Sequence, residues 1–149
     1  MQSLYFAYGS NLSSARLLAR VASARPLAPA QLLGWSLRTN KRGRDGSGKA
    51  NLRSEARECV WGALYSMDPD AWPALDACEE GYARVSVEVL THQDSLQAST
   101  YVSERLTADP VPFSWYKQLI VDGAREHGLP EDWVRLLEAL PARPDPRLS

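Results

Sequence analysis

The stretch Leu4-Tyr5-Phe6-Ala7-Tyr8-Gly9-Ser10-Asn11-Leu12 decides the reading of this chain. Leu4, Phe6 and Tyr8 fall on one face of an extended segment and Tyr5 and Ala7 on the other, and aromatic side chains suit a pleated sheet. Gly9 breaks the run. Ser10 and Asn11 are turn and N-cap types, and Ser13-Ser14 lead into a helical pattern at Leu17, Leu18 and Val21. A strand, a glycine turn and a helix start gather backbone N–H groups beside the positive end of a helix dipole. That geometry suits a carboxylate or phosphate. An ordinary strand-to-helix turn has the same sequence pattern.

Outward from this corner, residues 13–22 read as a short helix, with Pro26 and Pro29 in the connection that follows. Leu33, Trp35 and Leu37 alternate in a strand over 31–39. Residues 40–51 form a basic, Gly-rich loop that nearly matches a P-loop: Gly43, four residues, Gly48 and Lys49. Ala50 stands where Ser or Thr would hold magnesium, no apolar strand ends at Gly43, and no long amphipathic helix follows. Nucleotide binding is therefore not expected. A mobile loop beside a pocket and a plain surface loop both fit.

Cys59–Met67 reads as a strand, with Gly62 marking a close backbone approach or a bulge. Asp68-Pro69 opens a helix that carries Trp72, Leu75 and Glu79 at spacings of three and four, which places Glu79 on the apolar stripe. Glu80 falls on the outer face over Asp76. An inward carboxylate has its pKa raised by burial and by the C-terminal end of a helix, which favours proton transfer. The structural alternative is a Glu79 that caps the turn or pairs with Arg84.

Strands follow over 84–91 and 97–102, joined by a turn that holds a solvated His92. A helix runs from Phe113 through Tyr116, Ile120, Gly123 and Ala124 to a stop at Gly128. A second helix starts at Pro130, with Trp133, Leu136, Leu137 and Leu140 as its stripe. Residues 1–140 make a single domain, and the Pro- and Arg-rich 141–149 read as a loose tail.

At 149 residues, with 44% apolar and 23% charged side chains, the chain reads as an ordinary globular domain. A net charge of −1 argues against nucleic acid as a partner, and no apolar run is long enough to span a membrane. No signal peptide is expected. Two cysteines, Cys59 and Cys78, make neither a zinc cluster nor a disulfide framework and read as buried inert thiols. The expected setting is the cytosol. Trp115, read as an exposed aromatic, offers a contact for a homodimer.

Three separated segments carry a resemblance. Tyr5-Phe6-Ala7-Tyr8-Gly9-Ser10-Asn11-Leu12 resembles the N-terminal signature of the gamma-glutamylcyclotransferase (AIG2-like) family. Leu75-Asp76-Ala77-Cys78-Glu79 resembles its Leu-Asp-x-x-Glu, and Tyr116-Lys117 through Gly123–Pro130 resembles its C-terminal block; Trp61-Gly62 matches its usual strand. The resemblance implies an α+β fold, a small, mostly antiparallel, barrel-like sheet surrounded by helices. Five or six short strands and about four helices are legible in the sequence itself.

The resemblance also implies that Glu79 is the acid/base. It implies that Tyr5, Phe6, Ala7, Tyr8, Gly9 and Ser10 hold the glutamyl part of a small-molecule substrate through backbone amides, and that Tyr116 lines the site. The reaction implied is cyclisation of a gamma-glutamyl amide to 5-oxoproline, with neither metal nor other cofactor. Most family members place Gly directly after the catalytic Glu, whereas Glu80 here precedes Gly81, so Glu80-Gly81 offers a second alignment. Helix phase favours Glu79. A non-enzymatic binding module on the same scaffold is the alternative function.

Overall fold

A computed structural model describes residues 2–148 of the chain. The elements are β1 (Ser3–Ala7), a 3-10 turn (Ser10–Leu12), α1 (Ser14–Arg20), β2 (Arg25–Arg42), β3 (Gly48–Met67) and α2 (Trp72–Cys78). They continue with β4 (Ala83–Leu90), β5 (Ser95–Val102), α3 (Ser114–Glu126) and α4 (Glu131–Glu138). The five strands close into a barrel in the order β1-β3-β2-β4-β5. Every ladder is antiparallel except β1 against β5, which meet in parallel at Tyr5 and Ser99. The expected α+β barrel with helices around it is the fold observed.

Strands β2 and β3 are longer than their apolar alternation predicts. They form one bent hairpin paired from Arg25–Ser66 to Arg42–Gly48, with register shifts at Pro26/Ala28, Leu33/Trp35 and Arg38/Lys41. Such irregularities bend a ribbon and increase its twist. The first shift flanks Pro26, whose missing N–H is tolerated where the ladder is interrupted. Pro26 and Pro29, expected in a connection, thus lie inside a strand. The Gly-rich loop shrinks to residues 43–47, because Gly48-Lys49-Ala50-Asn51 already belong to β3. Lys49 on that strand faces Asp45 at 3.1 Å, and no helix follows, so the P-loop arrangement is absent.

The core collects Phe6, Leu12, Leu17, Leu32, Leu64, Tyr65, Met67, Leu75, Ile120 and Leu137, all essentially without solvent exposure. Burying each such side chain contributes about 1.5–3 kcal/mol before entropy is counted. Gly62 permits the packing of β1: a Cβ there would lie 2.4 Å from the Ala7 carbonyl oxygen and 2.7 Å from the Phe6 ring. The close approach expected at this glycine is found.

The C-terminal segment corrects the expectation of a loose tail. Ser114 N–H donates to the Arg143 carbonyl at 2.8 Å, and Arg143 N–H donates to Pro112 O at 3.0 Å. The Trp115 indole N–H donates to Asp145 Oδ2 at 2.9 Å, and Arg147 closes a fork on the same carboxylate. That guanidinium holds Asp145 well below the usual carboxylate range. Trp115 is therefore half-buried under this segment rather than exposed as expected. Cys78, expected to be buried, is exposed on the wall of the cleft beside the candidate site, and neither cysteine forms a disulfide. Among the described residues no helix is long and apolar enough to cross a membrane.

Candidate active site

Helix α2 turns Trp72 and Leu75 into the core, and Glu79 follows in the same phase as its C-cap. The Glu79 N–H bonds to Leu75 O at 3.0 Å and to Asp76 O at 3.2 Å, which fixes where the side chain leaves the helix. Its carboxyl group is 15% exposed, accepts from Asn11 Nδ2 at 2.7 Å and sits 3.6 Å from Arg20 Nη1. Burial raises its pKa; Arg20, Asn11, Arg16 and Lys41 oppose the rise without cancelling it. Glu80 points away, half-exposed, and pairs with Arg44. Arg84, the alternative partner for Glu79, is 3.6 Å from Asp76 instead.

The glycine corner lies opposite. Leu12 N–H returns to Gly9 O at 3.0 Å and Ser13 N–H to Ser10 O at 3.1 Å, which closes the 3-10 turn. The leading N–H groups of such a turn have no partner within it. Ser13, not Asn11, caps α1, with its Oγ accepting from Arg16 N–H at 3.3 Å. Asn11 is thereby free for the site. Its amide donates to Tyr5 OH at 2.9 Å as well as to Glu79, and its Oδ1 accepts from Arg20 at 3.2 Å. Gly9 is held against β3: a Cβ there would stand 2.9 Å from Ala50 Cβ.

Between corner and carboxylate lies a cavity of about 30 Å³ walled by phenols. Tyr8 OH donates to Tyr101 O, Tyr82 OH to Ala50 O and Tyr101 OH to Asp76 Oδ1, each at 2.6 Å. The Tyr116 hydroxyl accepts from Ala50 N–H at 3.0 Å. Burial raises the pKa of all these tyrosines, that of Tyr116 to about 12, so the wall is neutral at physiological pH. The cavity adjoins a cleft of about 480 Å³, and Ser10, Glu79, Tyr82 and Tyr116 line both.

The fold therefore brings Tyr5, Tyr8, Gly9, Ser10, Glu79 and Tyr116 to one cavity. Phe6 and Ala7 are not on its wall: both are fully buried in β1, and the Phe6 ring stacks on Tyr8. Asn11, Arg20, Tyr82 and Tyr101 belong to the site and escaped the sequence reading. Asn11 lies within the decisive stretch but has the composition of a cap. The others carry no local signal. No group of three or more His, Cys, Asp or Glu able to hold a metal occurs among the described residues.

A closed barrel with a helix-end carboxylate above a phenol-lined cavity is the gamma-glutamyl cyclotransferase-like fold. The structure superposes on a solved gamma-glutamyl cyclotransferase with a TM-score of 0.89 at 27% identity, covering 96% of this chain and 90% of the other. The family model for the AIG2-like family matches residues 59–137. Gamma-glutamylcyclotransferase of Homo sapiens is 31% identical over 148 residues, covering 92% of this chain and 78% of its own length; that of Mus musculus is 30% identical with the same coverage. The chain belongs to the gamma-glutamylcyclotransferase family and is an enzyme of this kind.

Proposed function

We propose that Glu79 is the general acid/base in the cyclisation of a gamma-glutamyl amide to 5-oxoproline. The α-ammonium of such a substrate cannot attack. Glu79 removes a proton, the freed amine forms a bond to the γ-carbonyl carbon, and the five-membered ring closes. The γ-amide C–N bond then breaks as Glu79 returns the proton to the leaving nitrogen and the ring nitrogen gives up its surplus proton to water, releasing an amine or amino acid. The attack is intramolecular, so holding the folded conformer supplies much of the acceleration. Backbone N–H groups at Tyr8, Gly9 and Ser10 anchor the glutamyl part or stabilise the oxyanion, and Tyr5 and Tyr116 shape the cavity. The reaction so written requires no metal or nucleotide. A reducing cytosolic setting suits the two free thiols.

The observation that carries this reading is the position of one carboxyl group. Glu79 is the carboxylate on the inner cavity wall, and its raised pKa suits a group that must both take and return a proton. The test is 5-oxoproline release from gamma-glutamyl-alanine by the Glu79→Gln and Glu80→Gln variants. We expect a loss of about 10²–10⁴-fold for the first and little change for the second. Activity kept in Glu79→Gln and lost in Glu80→Gln would move the role by one residue.

A further inference from the structure

The outer cleft is lined by more cations than carboxylates. Three of its cations are already matched: Arg44 pairs with Glu80, Lys49 with Asp45 at 3.1 Å, and Arg147 with Asp145 at 2.6 Å. Arg20 is shared between Glu79 and Asn11. Arg16 on α1 and Lys41 on β2 differ. Both line the cleft, and neither has an ion-pair partner among the described residues.

Both cations are also partly removed from water. Lys41 is 8% exposed, and its ammonium lies 4.9 Å over the Tyr82 ring. The Arg16 Nε is buried without a hydrogen-bond partner. Desolvation lowers the pKa of both groups. A desolvated cation without a counter-ion is costly, and an anion arriving beside it recovers that cost.

We propose that the outer cleft is a subsite for an anionic leaving group, with Arg16 and Lys41 as the residues that set its specificity. The inference rests on the reading that Glu79 cyclises a gamma-glutamyl amide. Two unmatched cations on separate elements favour a leaving group with two negative groups, such as an acidic amino acid or an acidic peptide. A leaving group with one carboxylate engages one of them, and a neutral or cationic amine engages neither.

The test is a series of kcat/KM values, read as 5-oxoproline release, for gamma-glutamyl-glutamate, gamma-glutamyl-alanine and gamma-glutamyl-methylamide. The wild-type protein is expected to follow that order, with about tenfold or more between the first and the last. Arg16→Gln and Lys41→Gln each shift Glu79 as well, so absolute rates will change. The decisive quantity is the ratio between substrates within one variant. Each variant is expected to shrink the acidic-to-amide ratio several-fold, and Lys41→Arg to keep it. A wild-type ratio near or below one overturns the subsite, and so does an equal loss on all three substrates in both Gln variants. If none of the three is turned over, the cyclisation reading falls and the subsite falls with it.

Discussion

Asn11 and Glu79, 68 residues apart in sequence, are joined by a hydrogen bond of 2.7 Å across the cavity. The same Asn11 amide reaches the Tyr5 hydroxyl and receives Arg20. One side chain therefore connects the glycine corner, the first strand, the first helix and the acid.

This bond leads to a prediction about pH. Asn11 donates to the carboxylate and so opposes the rise in its pKa. In Asn11→Ala the acid limb of the kcat/KM profile is expected to move to higher pH, with activity near neutral pH down by about tenfold or more. The pH–rate profile of the variant checks this. An unmoved limb would mean that Asn11 does not tune Glu79.

The raised pKa of Glu79 also couples its protonation to folding. Its folded pKa lies above the unfolded value, so the folded state keeps a proton that the unfolded chain gives up. The group is most favourable below the unfolded pKa, and that contribution is lost as pH rises through the folded pKa. Glu79→Gln does not titrate. The Tm of the Gln variant minus that of wild type is expected to grow as pH is raised from acidic to neutral. A difference that shrinks over that interval would reverse the sign of the linkage.

Gly9 tests the glycine corner. Its φ of −114° lies outside the left-handed region, so the constraint is contact with Ala50. Gly9→Ala is expected to cost about 1–3 kcal/mol of stability and a larger share of activity, since the shifted atoms border the cavity. Adding Ala50→Gly removes the opposing Cβ and is expected to restore part of both losses. Denaturant midpoints and turnover of the single and double variants decide it.

The C-terminal segment reaches back to the β2–β3 loop. Arg143 donates to Gly46 O at 3.2 Å, and Arg147 lies 3.4 Å from Asp45. Truncation after Leu140 is expected to lower the Tm, by roughly 3 °C for each kcal/mol lost, and to open residues 43–47 to proteolysis. An unchanged cleavage rate in that loop would show that the loop holds itself.

Much of this was legible locally. The alternation of Val85, Val87 and Val89 gives β4, and the spacing of Trp72, Leu75 and Glu79 turns the acid inward. The outer half of the β2–β3 hairpin was not legible. Its residues around Lys41 and Lys49 are basic and Gly-rich, so the two-residue period that marks a half-buried strand is lost. Phe6 and Ala7 show a different limit: a resemblance identifies a motif but not which of its residues border the cavity. The tail looked loose because its order depends on Trp115, Asp45 and Phe113, none of them its neighbours in sequence. Asn11 was hidden for the same reason, since its partner comes from a helix that the chain has not yet reached.

Strand β1 lies between β3 and β5, so both of its edges are covered only once β5, the last strand in chain order, is in place. A nascent chain that has emerged only as far as Leu90 can build the long hairpin and lay β1 against it. The free edge of β1 then waits for residues near Ser99. Contacts so distant in sequence slow folding, and an open strand edge invites other chains meanwhile. Closure of the barrel thus waits for β5, although the glycine corner follows directly on β1.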